Sequence, residues 1–451
     1  MHSYMNIKKS ARISHDFWEV TAGAGMFDIV VSGLGDGRHR ALADGHEFVN
    51  MSSYSYLGLD THPRIVQAAA DAVLAEGALN SSTSRMRIRF GSLREAETAL
   101  SELFDVEALT VASCAAAAWA SLPLLASGLL TGDTPPLMVF DKNAHFCLNA
   151  LKPAVADEAE IVTIAHNDVD ALEDLCRKHP QVAYVADGVY STGGAAPIPE
   201  LLRLQEKYGL FLFFDEAHGV STVGERGRGA VLEAMAANGG MNDRTLIITS
   251  LNKGFGASGG AIFLGPNGSQ RLRDTALRNG GPLMWSQRIN TAGLGAILAS
   301  AELHRTAELK ELQLRLQDNV ALFDSLVETS FSGDGLPIRF VDIGSEEATI
   351  RLAGELLQRG YYTSPIFFPV IGRGKAGLRL MLRANMAEAE IRDFCGALAE
   401  GLRAEGLSVN SPSVNSPSVN SPSVNSPGAD GPSADGPSAP VLAGPTRGQA
   451  R

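Results

Sequence analysis

The sequence carries a carboxylate, a histidine and a lysine in positions that suit one kind of chemistry. Asp215 and His218 lie in FFDEAHG, where four apolar residues precede the aspartate, and Lys253 follows the apolar run TLIIT. A carboxylate at the end of a buried strand needs a partner for its charge. One such partner is the protonated ring nitrogen of an aldehyde cofactor, which also requires a lysine for its attachment. Asp215 and Lys253 together therefore predict a cofactor of this type.

The residues that follow the lysine support this interpretation. The segment SLNKGFGASGG places Gly254, Gly256, Gly259 and Gly260 directly after Lys253. Glycine keeps the backbone small where a ligand approaches it. A lysine exposed to solvent on the surface would not require four glycines in the segment that follows it.

The letters DEAH also form the metal-binding box of nucleotide-driven helicases. That activity requires an upstream GxxxxGK[ST] loop to hold the nucleotide phosphates. The sequence contains no such loop, and its nearest segment, GRGKAG at 372–377, has the wrong spacing and lies late in the chain. A helicase function is therefore rejected.

Composition narrows the class of protein further. The 451 residues are 45% hydrophobic and 20% charged, which is enough for two packed domains. A net charge of −12 argues against a nucleic acid or an anionic membrane surface as a partner. No run reaches the roughly 18 apolar residues of a membrane helix, and no secretory signal is evident. The four cysteines stand singly, without zinc-site or disulfide-scaffold spacing, so we expect a cytoplasmic protein and no metal site.

The order of apolar and helical segments predicts an α/β fold with a mostly parallel sheet. Strand-like runs are LTVAS, LMVFD, EIVTIA, VAYVADGVY, FLFFDEAH, TLIITSL and GGAIFLG, and DVDALEDLCRKH is a typical intervening helix. Ligands collect at the carboxyl ends of such strands, where Asp187, Asp215 and Ser250 stand. After about residue 291 helical periodicity dominates, followed by strands predicted over IRFVDIG, ATIRLA and LRLML and a helix over AEAEIRDFCGALAEGLRAE.

These patterns predict four parts of the chain. An N-terminal arm covers 1–47, a large cofactor-binding domain 48–290, a smaller α+β domain 291–406 and a tail 407–451. In the tail the pentapeptide SVNSP repeats four times. A proline in every unit and little apolar surface are typical of disorder.

Four segments, DEAHG, SLNKGFGASGG, SYLGLDTHP and DGVYSTGGAAP, together resemble the α-oxoamine synthases, over roughly 48–400. These pyridoxal-phosphate enzymes include aminooxononanoate synthase, aminolevulinate synthase, serine palmitoyltransferase and the quorum-sensing aminoketone synthases. The resemblance implies the fold type I transferase architecture and a homodimer. It also implies a decarboxylative Claisen-type condensation of an amino acid with an acyl thioester, of coenzyme A or a carrier protein, giving an α-aminoketone. VYSTGGAAP is most similar to the aminoketone synthases, which favours secondary metabolism or signalling.

The resemblance also implies a role for individual residues. Lys253 matches the lysine that binds the cofactor and then acts as the base, and Asp215 matches the partner of the pyridine nitrogen. His218 and Ser191 match contacts of the phenolic oxygen, and His145, in DKNAHF, matches the histidine that stacks on the ring.

Further matches concern the phosphate and the substrate. Arg379, in GLRLMLRANM, matches an arginine that grips the amino-acid carboxylate by paired hydrogen bonds, although it could also be an exposed strand residue. The implied phosphate contacts are the Ser250 and Ser113 side chains, the backbone N–H groups of Cys114 and Ala115 at a helix start, and Ser286 acting across a dimer interface.

Several positions depart from the family pattern. Cys114, Ala115 and Ala118 replace a glycine, an aromatic residue and an asparagine, and Leu93, Met386 and Ala387 also differ. In RMRIRF the alternation of Arg85, Arg87 and Arg89 predicts one strand face, which would bind phosphate groups or face solvent. Two other classes stay open: another fold type I activity such as an aminotransferase, and a catalytically silent binding protein on the same fold.

Overall fold

A computed structural model describes residues 7–368 and 370–407. The predicted tail therefore lies outside the described residues, apart from Leu407. Within the described part of the chain, no helix is both long and apolar enough to cross a membrane.

A seven-stranded sheet forms the centre of the fold, in the order β4-β10-β9-β8-β7-β5-β6. Its strands are parallel except for β10, which runs antiparallel to both of its neighbours. The strands of this sheet are β4 Val106–Val111, β5 Leu137–Asp141, β6 Ile161–Ile164, β7 Val182–Asp187, β8 Phe211–Asp215, β9 Thr245–Ser250 and β10 Gly260–Pro266. The predicted α/β class with a mostly parallel sheet is confirmed, and each of the seven predicted runs overlaps one of these strands.

Two smaller sheets complete the strand pairing, in the orders β1-β2-β3-β12 and β11-β14-β13. Their strands are β1 Val31–Gly35, β2 Arg38–Ala41, β3 Glu47–Asn50, β11 Ile338–Gly344, β12 Tyr361–Tyr362, β13 Ser364–Ile366 and β14 Ala376–Met381. The parallel pairing of β12 with β3 places residues 361–362 beside residues 47–50 in one sheet. One apolar core likewise unites Val49 and Leu57 with Leu316, Leu378 and Phe394.

Helices cover both faces of the central sheet, because its strands are apolar on both sides. In β8, for example, all five residues are buried. The helices are α1 Ile7–Gly23, α2 Pro63–Glu76, α3 Gly91–Phe104, α4 Cys114–Ala126, α5 Phe146–Asn149, α6 Lys152–Ala156, α7 Val169–Lys178, α8 Ile198–Tyr208, α9 Gly229–Ala236, α10 Gln270–Asn279, α11 Gly281–Trp285, α12 Thr291–Leu303, α13 Ala307–Leu326, α14 Glu346–Gln358 and α15 Glu388–Ala404, with short 3₁₀ turns at Leu59–Thr61 and Glu225–Gly227.

Two predictions about local structure are wrong. ATIRLA forms part of α14 instead of a strand, because the Ser345 side chain caps the helix by accepting from the backbone N–H of Ala348 at 3.2 Å. Buried Ile350, Ala353 and Leu356 then share one face at helical spacing. Apolar residues alone do not distinguish the two periods over such a short segment.

The three arginines of RMRIRF do not share a strand face. Residues 85–87 form a turn; Arg85 is buried, whereas Arg87 and Arg89 are exposed. The Arg85 guanidinium lies 2.5 Å from the carboxylate of Glu97. This ion pair holds Arg85 inside the protein, so the alternating arginines do not form a strand.

Glu97 is the centre of a buried ionic network between α3, β4 and α10. Its carboxylate accepts from Arg85, from Arg273 at 2.8 Å and from the backbone N–H of Thr110 at 2.9 Å. Burial opposes ionisation of Glu97, yet the two guanidinium groups and the Thr110 N–H hold its pKa below the usual value. The network is therefore ionised inside the protein and fixes the segment before α3 against the sheet.

Replacing Glu97 by alanine should lower the free energy of unfolding by about 3 to 5 kcal/mol, because buried Arg85 loses its counter-charge and Arg273 loses one of its two carboxylate partners. Urea denaturation of the purified protein measures the change. Glu95→Ala is the matched control, since Glu95 is exposed on the same helix. Equal unfolding midpoints for the two variants would contradict a stabilising role for the network.

Candidate active site

The carboxyl ends of three adjacent strands bring the candidate residues to one edge of the sheet. Asp187 and Asp215 are paired in register across β7 and β8, and β9 ends at Ser250. Lys253 lies in the loop between β9 and β10, which are antiparallel neighbours. The sheet therefore places a carboxylate pair and a lysine side by side.

Lys253 is hydrogen-bonded to His218. The lysine Nζ lies 3.0 Å from Nε2 of His218, and Nδ1 of the same ring lies 2.6 Å from the hydroxyl of Tyr56. Burial and the charges of Lys253 and Arg379 hold the pKa of His218 well below its usual range, so the ring is neutral. Because an ammonium group only donates, Nε2 accepts from Lys253, and Nδ1–H donates to Tyr56.

The carboxylate of Asp215 is buried at the other end of the cluster. It accepts from the backbone N–H of Ala217 at 2.9 Å, and the thiols of Cys114 and Cys147 lie 3.7 Å from its oxygens. Burial, followed by the negative charge of Asp215, raises the pKa values of both thiols, which stay protonated and donate to the carboxylate. These contacts leave its negative charge without a cation among the described residues.

His145 connects this carboxylate to the neighbouring one. Its backbone N–H donates to Asp187 at 2.9 Å, and its Nδ1 lies 3.0 Å from the sulfur of Cys147. Burial, and then the charge of Asp215, raises the pKa of Asp187 well above the usual value. The carboxyl pair therefore carries one negative charge, located on Asp215.

His145, Cys147 and Asp215 are also the one group of three possible metal ligands found among the described residues, with ligand atoms within 4.8 Å of one another. A thiol binds a metal ion only after it loses its proton. Burial raises the pKa of Cys147, so a metal ion bound here would have to displace the proton of this thiol.

The amino end of α4 lies next to this cluster. The Ser113 hydroxyl caps the helix by accepting from the N–H of Ala116 at 3.1 Å. In the sheet, Gly260 is paired with Ser250 on one side and with Val111 on the other, and a Cβ added to Gly260 would lie 2.7 Å from the backbone nitrogen of Cys114. Ser250 and the first turn of α4 are thus held close together, where N–H groups and the helix dipole favour an anion.

Arg379 lies on β14 and enters the cluster through Tyr54. Its Nη2 donates to the Tyr54 hydroxyl at 2.8 Å, and the Lys253 Nζ lies 5.0 Å from the centre of the same ring. The Nε of Arg379 is buried without a hydrogen-bond partner, and no carboxylate of the described residues pairs with this guanidinium. A donor left in this state is suited to a carboxylate from outside the protein.

The structure therefore brings Asp215, His218, Lys253, His145 and Arg379 into one cluster, with Cys114 beside it. Other predicted residues lie at its margin or away from it. Ser191 lies half-buried in the turn after β7, Ala115 is exposed in the first turn of α4, and Ser286 is exposed after α11. Ala118, which stands in the place of an asparagine, is buried in an apolar core and meets no polar group there.

Sequence reasoning missed Tyr54, Tyr56 and Cys147 as members of the cluster. Both tyrosines lie in SYSYLGL, within or next to a segment that carries the family resemblance. Their closeness to that segment could have indicated that they belong to the site. For Cys147 the signal was its spacing of two residues from His145. Neither signal says which side chains turn towards the lysine.

The donor set fits pyridoxal phosphate. A lysine amine is present for the aldehyde, an unpaired buried carboxylate for the ring nitrogen, and a helix amino end with two serines for the phosphate. Cys114 and Ala115 leave the backbone N–H groups of that helix end in place, so the replaced side chains do not remove the anion site.

The chain is similar to known proteins over most of its length. A family model described as aminotransferase class I and II matches residues 46–398. An 8-amino-7-oxononanoate synthase of Geobacter sulfurreducens is 30% identical over 384 residues, which cover 83% of this chain and 94% of the relative. The enzyme of the same name from Alkaliphilus metalliredigens is 29% identical, over 78% of this chain and 86% of the relative.

A solved structure of serine palmitoyltransferase with pyridoxal phosphate is similar in fold. The TM-score is 0.77 at 22% identity, and the match covers 89% of this chain and all of the other. At this identity the likeness bears on the fold, and it agrees with the fold type I architecture predicted from the sequence.

Glu216, directly after Asp215, is a further carboxyl group behind the cluster. Its Oε2 accepts from the backbone N–H of Val231 at 3.4 Å, and its Oε1 has no partner among the described residues. Backbone at Gly188 and Gly229 packs so closely that a Cβ on either would overlap the carboxyl group. Burial raises the pKa of Glu216 to about 8, so it is neutral at pH 7.

The stability of the apoprotein should depend on pH through Glu216. In the unfolded chain the group ionises near 4.5, whereas in the folded protein it stays protonated up to about 8. Its contribution is therefore complete below pH 4.5 and is lost as the pH rises towards 8. Relative to wild type, Glu216→Gln should gain about 1.4 kcal/mol for each pH unit within this window.

Urea denaturation at a series of pH values measures this difference. Glu206→Gln is the control, because Glu206 is exposed on α8. A constant difference between wild type and Glu216→Gln from pH 5 to pH 8 would show that Glu216 is ionised in the folded protein.

Proposed function

Because this chain belongs to the aminotransferase class I and II family, and within it to the α-oxoamine synthases, we propose that the cluster around Lys253 condenses an amino acid with an acyl thioester and releases carbon dioxide. Pyridoxal phosphate is the cofactor of the family. The observation that carries the proposal is the position of Lys253, hydrogen-bonded to a neutral histidine and close to an arginine with an unpaired donor.

When bound, pyridoxal phosphate supplies an aldehyde for the substrate amine and an electron sink for the charge that develops at its α-carbon. Asp215 would accept a hydrogen bond from the protonated ring nitrogen, because the neighbouring Asp187 is kept neutral. The protonated thiols of Cys114 and Cys147 keep the carboxylate in place without neutralising it.

Arg379 orients the amino acid in this proposal. Its hydrogen bond to Tyr54 fixes one edge of the guanidinium, and Nε remains available for the substrate carboxylate. Lys253 then takes the α-proton on Nζ. His218 assists because a neutral ring accepts from the lysine without adding positive charge, and Tyr56 stabilises that tautomer. The α-carbon attacks the thioester carbonyl and the carbon–sulfur bond breaks, so that the thiol leaves. The carboxylate of the amino acid then departs as carbon dioxide, and Lys253 returns the proton to the α-carbon.

We also propose that the protein is a homodimer. The segment before α3 and the segment after α10 lie together, since Ser84 donates to the Met284 carbonyl at 2.9 Å. These segments expose large apolar side chains: Ile88 is 65% exposed and Trp285 is 79% exposed. Large exposed apolar side chains on neighbouring segments are typical of a protein interface. Ser286, next to Trp285, would then face a second copy of the chain.

The compartment belongs to the same proposal. All four cysteines are free thiols, two of them beside the proposed ring-binding carboxylate. In this proposal both thiols donate hydrogen bonds to Asp215 and must stay reduced. A reducing compartment such as the cytoplasm meets this requirement.

Lys253→Ala should abolish the visible absorption band of the cofactor and the turnover of an amino acid with an acyl-coenzyme A. Arg379→Ala should keep the band and raise the amino-acid KM about 10- to 100-fold, because a charged hydrogen bond is lost. Release of free coenzyme A and of carbon dioxide, measured over a panel of single amino acids, reports the reaction. Lys207→Ala, at an exposed lysine, is the control.

Turnover by Lys253→Ala would overturn the proposed mechanism. Transfer of the amino group to a keto acid, without release of carbon dioxide, would assign the protein to the aminotransferase alternative.

Trp285→Glu and Ile88→Glu should each convert the dimer into a monomer, because a carboxylate is buried at the proposed interface. Sedimentation velocity of wild type and variants at equal concentration measures the species present. Leu314→Glu is the control, since Leu314 is a partly exposed leucine on α13. A monomeric wild-type protein, or dimeric glutamate variants, would contradict the interface.

A further inference from the structure

A serine and a histidine form a buried pair behind the lysine loop. The hydroxyl of Ser221 lies 2.8 Å from Nε2 of His304, at the end of α12. Ser221 is fully buried and His304 is 1% exposed. The side chains of Ser221 and His304 form no hydrogen bond with Asp215 or Lys253. The proposed mechanism therefore gives this pair no role.

The hydrogen bonds of His304 fix its tautomer. Its Nδ1 lies 2.8 Å from the carbonyl oxygen of Ser300, which only accepts. Nδ1 therefore carries the proton, and Nε2 accepts from the Ser221 hydroxyl. Burial lowers the pKa of His304 to about 4, so the ring stays neutral and this arrangement persists at pH 7.

One side of the pair is attached to the lysine loop. The Ser300 hydroxyl donates to the carbonyl oxygen of Phe255 at 2.5 Å, two residues after Lys253. The ring of Phe255 also packs against the ring of His304, with centroids 4.6 Å apart. The position of α12 therefore determines where the carboxyl side of the lysine loop lies.

The other side of the pair is attached to the turn that carries His218. Ser221 follows His218 by three residues, and within this turn Thr222 donates to the carbonyl oxygen of His218 at 3.0 Å. The backbone N–H of Ser221 donates to the Gly227 carbonyl at 2.7 Å. The Ser221 hydroxyl thus connects the histidine turn to the same ring that packs on the lysine loop.

The backbone of Ser221 adopts a conformation that disfavours serine. Its φ is 74°, in the left-handed region where glycine has no steric cost. A serine at this position is explained if its hydroxyl is needed. The hydroxyl does not act as a nucleophile, because it has no access to solvent; the nearby cavity of about 700 Å³ is lined by His304, Thr222 and Gln313 but not by Ser221.

We infer that His304, acting through Ser221 and Ser300, is a positioning residue that sets the separation between Lys253 and His218. The positioning of Lys253 does not depend on the proposed function. Only the effect of that positioning on catalysis rests on it. The two segments that meet at the Lys253–His218 hydrogen bond come from different loops. They pack on each other at Gly254, and the His304 ring contacts both through Ser221 and Phe255. Loss of the pair releases the lysine amine from its acceptor without touching Arg379 or Asp215.

Two variants remove the connection in different ways. His304→Phe keeps a ring against Phe255 and loses both hydrogen bonds. Ser221→Gly loses the hydroxyl but suits the backbone conformation, so the fold is preserved. Asp105→Gly is the matched control for the second variant, because Asp105 is an exposed residue with φ of 54° at the end of α3.

The test measures the lysine in the apoprotein. Reductive methylation with formaldehyde, followed by mass spectrometry of the Lys253 peptide, gives the rate of modification at each pH. We expect Ser221→Gly and His304→Phe to speed modification of Lys253 about two- to tenfold, the worth of one hydrogen bond. Asp105→Gly should match wild type. An unchanged rate in folded Ser221→Gly protein would overturn the inference.

A second measurement connects position to chemistry. In the protein loaded with pyridoxal phosphate, exchange of the amino-acid α-proton with deuterated water should slow about 10- to 100-fold in Ser221→Gly, with an unchanged KM for the amino acid. A change confined to unfolding midpoints, with equal exchange rates, would assign the pair a purely structural role. If wild type forms no adduct with the cofactor while the methylation rates differ as expected, the proposed function fails and the inference stands.

Discussion

The negative charge of Asp215, buried at the carboxyl edge of the sheet, is the constraint on which the rest of the site depends. A carboxylate in such a place is costly unless its surroundings supply donors or a cation. The protein supplies a backbone N–H and two thiols, and it suppresses the second charge by keeping Asp187 protonated. What remains is one unpaired negative charge, which a protonated ring satisfies.

The positive charges are arranged around that centre in a corresponding way. Burial, together with the charges of Lys253 and Arg379, lowers the pKa values of His145 and His218 and keeps both rings neutral. Neutral rings accept and donate hydrogen bonds without competing for the carboxylate. Asp215 is thus bound by the two thiols, whereas Arg379 is bound by the Tyr54 hydroxyl.

The parts of this arrangement that sequence reasoning predicted share a physical origin. Strands buried on both faces are nearly continuous apolar runs, so their ends, and hence Asp215, Ser250 and the lysine loop, are visible in the sequence. The same reasoning failed for ATIRLA, where strand and helix patterns coincide over six residues, and for Arg85, whose buried ion pair involves a residue twelve positions away. Tyr54 and Cys147 were missed because side-chain direction in a loop depends on tertiary contacts.

The lysine loop begins and ends in antiparallel neighbours, and this has a consequence for how such a protein can diverge. Leu251 donates to the carbonyl of Gly259 at 2.9 Å, and Ser250 is paired with Gly260, so the loop is closed at its base like a hairpin. An insertion that displaced the paired residues by one position would turn every side chain of the shifted strand to the opposite face. Residues on separate elements, such as Tyr54 and Arg379, carry no such restriction. Substitutions that change the substrate can therefore accumulate in this fold while the length of the lysine loop stays constant.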